Sequence, residues 1–188
     1  MSLSRYYLAI SLVLVAPLLA CADRPQASGQ RFGEPTILVG LATGEGGGDL
    51  PAVLQEHPDL ASALPDIVAP LVEAQSDGFI AGHLVASVRV VGATEYRDEV
   101  WLYAHESMGS YARDDGTAQL QSGRSMPVRI RLRAGSLEAI GIDEPLDGAS
   151  MGPSLAAIMP QWAIERALPL EFDEARMQEA ADLWAETQ

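Results

Sequence analysis

The sequence predicts an α+β fold: N-terminal helices packed on one face of a four-stranded antiparallel meander, with C-terminal helices after it. Three observations predict this. Apolar residues recur at helical spacing before residue 77, at a two-residue period between residues 83 and 143, and at helical spacing again near the end of the 188-residue chain. The strand-like segments follow one another with short turn sequences between them, which favours antiparallel neighbours over crossovers. Apart from Cys21 the chain has no cysteine, so an apolar core rather than a disulfide framework must hold the domain.

The first residues read as an address. Arg5 precedes an apolar run, residues 6–19, with no charged side chain, and small residues and then Asp23 follow. That is the pattern of a secretory signal, and it is shorter than the roughly 18 apolar residues a membrane span requires. Leu18, Leu19, Ala20 and Cys21 resemble the lipobox of bacterial lipoproteins. The resemblance implies that residues 1–20 are removed and that Cys21 is acylated as the mature terminus. It also implies a chain held by lipid on the extracytoplasmic side of a membrane in the cell envelope. Ala20 and Ala22 also fit ordinary cleavage after Ala22, which would discard the cysteine. A free thiol is an unusual choice in an exported chain, whereas a lipobox requires one, and this favours the anchor. Residues 21–35, polar and rich in proline and glycine, form a tether, and residues 36–188 form a single α+β domain.

Within that domain, residues 36–43 suggest a short strand or extended lead-in. The glycine-rich loop after it lacks the lysine and spacing of a phosphate-binding loop. Asp49 offers a cap to a helix over 50–57, and Ile67, Val68, Leu71 and Val72 place a second over 65–76, kinked at Pro70. Alternation predicts strands at 83–91, 99–107, 126–133 and 137–143, with turns at residues 92–94, at "RDDG" and near Gly135. Asp173 caps a last helix carrying Met177, Ala180, Ala181 and Trp184 on one face.

The segments "FIAGH", "VWLYA", "SGRSMPVRIRL", "DEPLDG" and "AAIMP" are together similar to a small uncharacterised extracytoplasmic domain. That domain occurs alone in exported bacterial proteins or attached to membrane proteins of the BlaR and MecR type. The resemblance covers about half the chain, and it implies neither catalytic residues nor an activity.

The formal net charge of −14 excludes nucleic acid as a partner, because phosphates demand a basic surface. It also repels anionic headgroups, so a lipid must provide any membrane attachment. Nothing in the sequence calls for a cofactor. "HESMG" has Gly109 where a zinc-protease helix needs its second histidine. Ser125 in "GRSMP" lacks the glycine spacing of a nucleophile elbow. The feature that stands out is alternation: Val128, Ile130 and Leu132 oppose Arg129, Arg131 and Arg133, while Val100, Leu102 and Ala104 oppose Trp101, Tyr103 and His105. With the aliphatic sets under the helices, Trp101, Tyr103, Arg129, Arg131 and Arg133 share an open face, or else the C-terminal helix buries Trp101 and Tyr103 and carboxylates on adjoining strands pair the arginines. That face suits an anionic or sugar-like ligand, or an envelope protein. The expected function is therefore binding without catalysis. The alternative is an exported hydrolase or metal-dependent enzyme using His83, His105 and Glu106.

Because acylation requires a thiol, Cys21→Ser is expected to release the protein from membranes or leave it unprocessed. Mass spectrometry of the mature terminus checks this; an unmodified chain beginning at Asp23 would establish ordinary cleavage instead.

Overall fold

The computed structural model describes residues 34–41 and 48–187; Cys21 and the segment before it lie outside the described residues. The elements, in order, are β1 (Thr36–Leu41), α1 (Leu50–Glu56), α2 (Leu60–Ala74), β2 (His83–Tyr96), β3 (Glu99–Asp114), β4 (Thr117–Arg133), β5 (Ala139–Asp143), α3 (Met151–Ile158), α4 (Gln161–Ala167) and α5 (Glu174–Thr187). The strands form one sheet in the order β1-β2-β3-β4-β5. β2 to β5 are the expected antiparallel meander. β1 adds a fifth strand, parallel to β2, so among the described residues the sheet is five-stranded and mixed. A parallel neighbour needs a crossover, and α1 and α2 supply it.

The strands outrun their sequence pattern. Asp115 and Gly116, with φ of 47° and 84°, close a two-residue turn in which both residues are left-handed, the preferred link between twisted strands. β3 and β4 therefore pair all the way to Asp114 and Thr117. β2 likewise runs through the expected turn at residues 92–94: Gly92 sits at a bulge, and the chain reverses at Arg97, whose φ is 59°.

Both faces of the sheet are covered. On one, Leu64, Val68 and Val72 of α2 and Val53 of α1 pack against Val88, Leu102, Ile130 and Leu132. On the other, Met177, Ala181 and Ala185 of α5 meet Val85 and Tyr111. Beside them, Leu155 of α3 and Ala163 and Ala167 of α4 meet Val91 and Tyr103. The aliphatic residues of β3 and β4 lie under the N-terminal helices as expected. The opposite face is not open as expected, because residues 151–187 return across it as three helices.

The crossover helices show how packing overrides local preference. α2 begins five residues before its expected start and runs through both Pro65 and Pro70. Each proline removes one backbone bond, but Leu60, Leu64, Val68 and Val72 form a buried i, i+4 seam on both sides of them. Asp49 caps nothing with its side chain. Its N–H donates to the Ala93 carbonyl at 2.8 Å, and its carboxylate accepts the Glu95 N–H at 3.2 Å, fastening the start of α1 to β2. Gly48, with φ of 59°, makes this approach possible, since a Cβ there would lie 2.2 Å from the Ala93 carbonyl oxygen.

Ile130 is fully buried, so Ile130→Ala is expected to cost about 2–5 kcal/mol, while Arg131→Ala, which empties no core volume, costs about 1 kcal/mol or less. Urea unfolding of the two variants reads the difference.

Candidate functional site

Of the five residues expected on the open face, three come together at the end of the β2–β3 hairpin. β4 lies in register with β3 so that Trp101 faces Arg131 and Tyr103 faces Arg129. The Arg129 guanidinium leans diagonally over the Trp101 ring, 4.3 Å from its centroid. Tyr96 lies 4.5 Å from Trp101 on the other side, tilted by 31°, and Arg97 lies over Tyr96 at 5.1 Å. The result is a stack of cation, ring, ring, cation. Beside it is a pocket of about 230 Å³ lined by Tyr96, Arg97, Glu99, Trp101, Arg129 and Arg131.

Two of the three arginines that line this pocket, Arg129 and Arg131, are matched by carboxylates. β5 brings Asp143 opposite Arg129, and its carboxylate pairs with Arg129 at 2.8 Å and Arg131 at 3.0 Å. Glu99 lies 3.9 Å from Arg131 and accepts the Trp101 indole N–H at 2.7 Å. The stripe is therefore not the free cationic surface its alternation suggested. Arg133 lies outside the pocket and pairs with Glu138 at 3.7 Å.

Tyr103 corrects the sequence expectation. It is 3% exposed, covered by α4, with its ring edge-on to Trp162 at 5.4 Å; it is core, not platform. Sequence reasoning missed Tyr96, which is 44% exposed, because the turn was expected before it. "TEY" continues a strand composition up to the Arg97–Asp98 reversal, and that was the available signal. Asp143 was missed because its role depends on strand register.

His83, His105 and Glu106 do not converge. His83 pairs across the sheet with Tyr111, six residues along β3 from His105. Its Nε2 meets the Thr36 hydroxyl at 2.9 Å, and its ring stacks on Trp184 at 4.5 Å. His105 contacts the Ala167 carbonyl and the Ser125 hydroxyl. Burial lowers the pKa of both histidines. Glu106 points to the other face, under the N-terminal helices. Among the described residues no group of three or more histidines, cysteines and carboxylates is placed to hold a metal.

Glu106 is 1% exposed and lies 3.4 Å from Arg124, which also reaches Glu144 at 2.7 Å. Gln75 donates to the same Glu144 oxygen. Burial pushes the Glu106 carboxyl up to about 7, against the pull of Arg124 and with Glu144 adding to the rise. Comparison with protein-family models and with curated proteins finds no match to this chain.

Because Glu106 holds its proton more tightly folded than unfolded, its contribution is full below about pH 4.5 and is lost as pH rises through about 7. Glu106→Gln is expected to flatten that fall and to stabilise the protein above pH 7 by on the order of 3 kcal/mol. Chemical denaturation from pH 4 to 8 tests this, and an unchanged slope would count against it.

Proposed function

We propose that this chain is a lipid-anchored extracytoplasmic binding module whose Tyr96–Trp101 platform takes a neutral, hydroxyl-rich ligand, a saccharide of the cell envelope. The observation that carries this reading is the stacked ring pair beside Arg129 and Arg131, whose charge is already balanced by Asp143 and Glu99. An anion would have to compete with those carboxylates for Arg129 and Arg131. A sugar ring needs no net charge: its C–H face takes the Tyr96 plane by displacing the exposed Arg97 side chain, and its hydroxyls exchange hydrogen bonds with carboxylates and guanidiniums at the rim.

The lipobox resemblance at Cys21 supports the anchor, and the apolar segment before it supports export. Among the described residues no helix is long and apolar enough to cross a membrane, which is compatible with attachment through lipid. The resemblance to an uncharacterised extracytoplasmic domain found alone or attached to BlaR- and MecR-type proteins supports the same location. Enzyme chemistry through His83, His105 and Glu106 is not favoured, since the three occupy separate environments.

Titrating envelope saccharides against intrinsic tryptophan fluorescence is expected to reveal binding that Trp101→Ala weakens at least tenfold. Raising salt from 0.1 to 1 M shortens the screening length from about 10 Å to 3 Å and should leave that binding largely intact. A salt-sensitive interaction that survives Trp101→Ala would overturn the saccharide reading in favour of an anionic partner.

A further inference from the structure

On the face covered by α4 and α5, β2, β3 and β4 bring Ser87, Ser107 and Ser125 into one row: Ser87 pairs with Ser107 and Ser107 with Ser125. His105, two residues before Ser107, lies on the same face. Its Nδ1 is 2.9 Å from the Ala167 carbonyl oxygen, and its Nε2 is 2.5 Å from Ser125 Oγ. His105 is 4% exposed, whereas Ser125 is exposed. A buried imidazole thus holds the hydroxyl of a residue that is itself exposed.

The hydrogens in this chain can be assigned. The Ala167 carbonyl can only accept, so His105 Nδ1 carries the proton. Burial lowers the His105 pKa and the charge of Arg89 adds to this, against the Ala167 hydrogen bond, so at neutral pH Nε2 is bare. Ser125 must then donate to Nε2. Ser107 Oγ accepts the Asp173 N–H at 3.3 Å and, 3.0 Å from Ser125 Oγ, donates its own hydrogen there. Nucleophile, base and orienting acceptor stand in the order that activates a serine.

The geometry points to Ser125 as a nucleophile with His105 as its general base, giving an acyl-transfer site for short-chain carboxylic esters. In acylation, Ser125 Oγ bonds to the ester carbonyl carbon as its proton passes to His105 Nε2. The C–O bond to the leaving alcohol then breaks, and that alcohol takes the proton from Nε2. Water, deprotonated by the same nitrogen, attacks the acyl carbon; the bond from that carbon to Ser125 Oγ breaks, Oγ takes the proton back from Nε2, and the carboxylic acid leaves. Pro127 has no N–H, and a sheet tolerates this where that position faces outward. The two-residue repeat turns the Ser125 N–H the same way, toward the edge that β5, pairing only from Arg129, leaves uncovered. That N–H is placed to donate to the oxyanion. Phe172 lies over Gly123, within 3.3 Å of where a Cβ would stand, and a single ring beside the nucleophile fits a short acyl group. This site is about 20 Å along the sheet from Trp101, so it is independent of the aromatic platform.

The full chain, treated with a fluorophosphonate probe and assayed with p-nitrophenyl acetate, is expected to carry one adduct, mapped to the peptide holding Ser125. Adduct and turnover should disappear in Ser125→Ala, an exposed change that leaves the core intact. Labelling should be at least about 100-fold slower in His105→Gln and should rise with pH to a plateau with its inflection below 6.5. Absence of an adduct at Ser125 in the wild-type chain would overturn the assignment. So would labelling of His105→Gln, folded by circular dichroism, at the wild-type rate. Should His105→Gln fail to fold, the wild-type labelling site and the Ser125→Ala comparison decide the matter alone.

Discussion

The register between β3 and β4 starts at Asp115–Gly116, where two left-handed residues reverse the chain, shifts by one residue between Tyr111 and Ser110, and then holds to the Glu99–Arg133 pair. Side chains on a strand alternate between faces, so a slip of one residue would exchange the two sets throughout. Ile130 would leave the core beneath α2, Arg131 would enter it, and the serine at position 125 would lose His105. Both sites and the main core thus depend on the turn and on the one-residue shift beside Tyr111 together.

A sheet covered on both faces must bury polar groups, and this one distributes them by face. Under the N-terminal helices the core is aliphatic except at one end, where Glu106 meets Arg124 and Glu144. Under α4 and α5 the row of serines and His105 takes the place of aliphatic residues. There the covering helices bring the partners: Asp173 accepts the Ser87 hydroxyl at 2.5 Å, and the Glu171 carbonyl accepts from Arg89. Apolar contacts of Met177, Ala181 and Ala163 hold these helices down, and hydrogen bonds fix their positions along the strands.

What the sequence made legible follows from this arrangement. Where one face of a strand is aliphatic and the other charged, as over residues 126–133, alternation located both strand and face correctly. Where both faces are buried, as in β2, the two-residue contrast disappears. Where small polar residues dominate, as from Ser107 to Ser110 and from Ser122 to Ser125, strand propensity is weak and the pairing was invisible. The burial of Tyr103 was left undecided for another reason: α3 and α4 are short helices with Pro160 between them, and they show little periodicity to announce a second covering layer. Asp143 and Ser125 acquire their partners only through register, which no local pattern encodes. The parallel placement of β1 is likewise a tertiary outcome.

That placement of β1 also bears on the order in which the domain assembles. The hairpins of β2, β3 and β4 close over turns of two residues, whereas Thr36 must find Val85 across α1 and α2, and Trp184 must return to His83 from the far end of the chain. Loop closure is an entropic cost met before any contact forms, so topology favours early hairpins and late edges. β1 and α5 are then the final pieces to dock, both around His83. A chain emerging N-terminus first would carry β1 unpaired until β2 had been made, and the parallel edge would close only after the meander it borders.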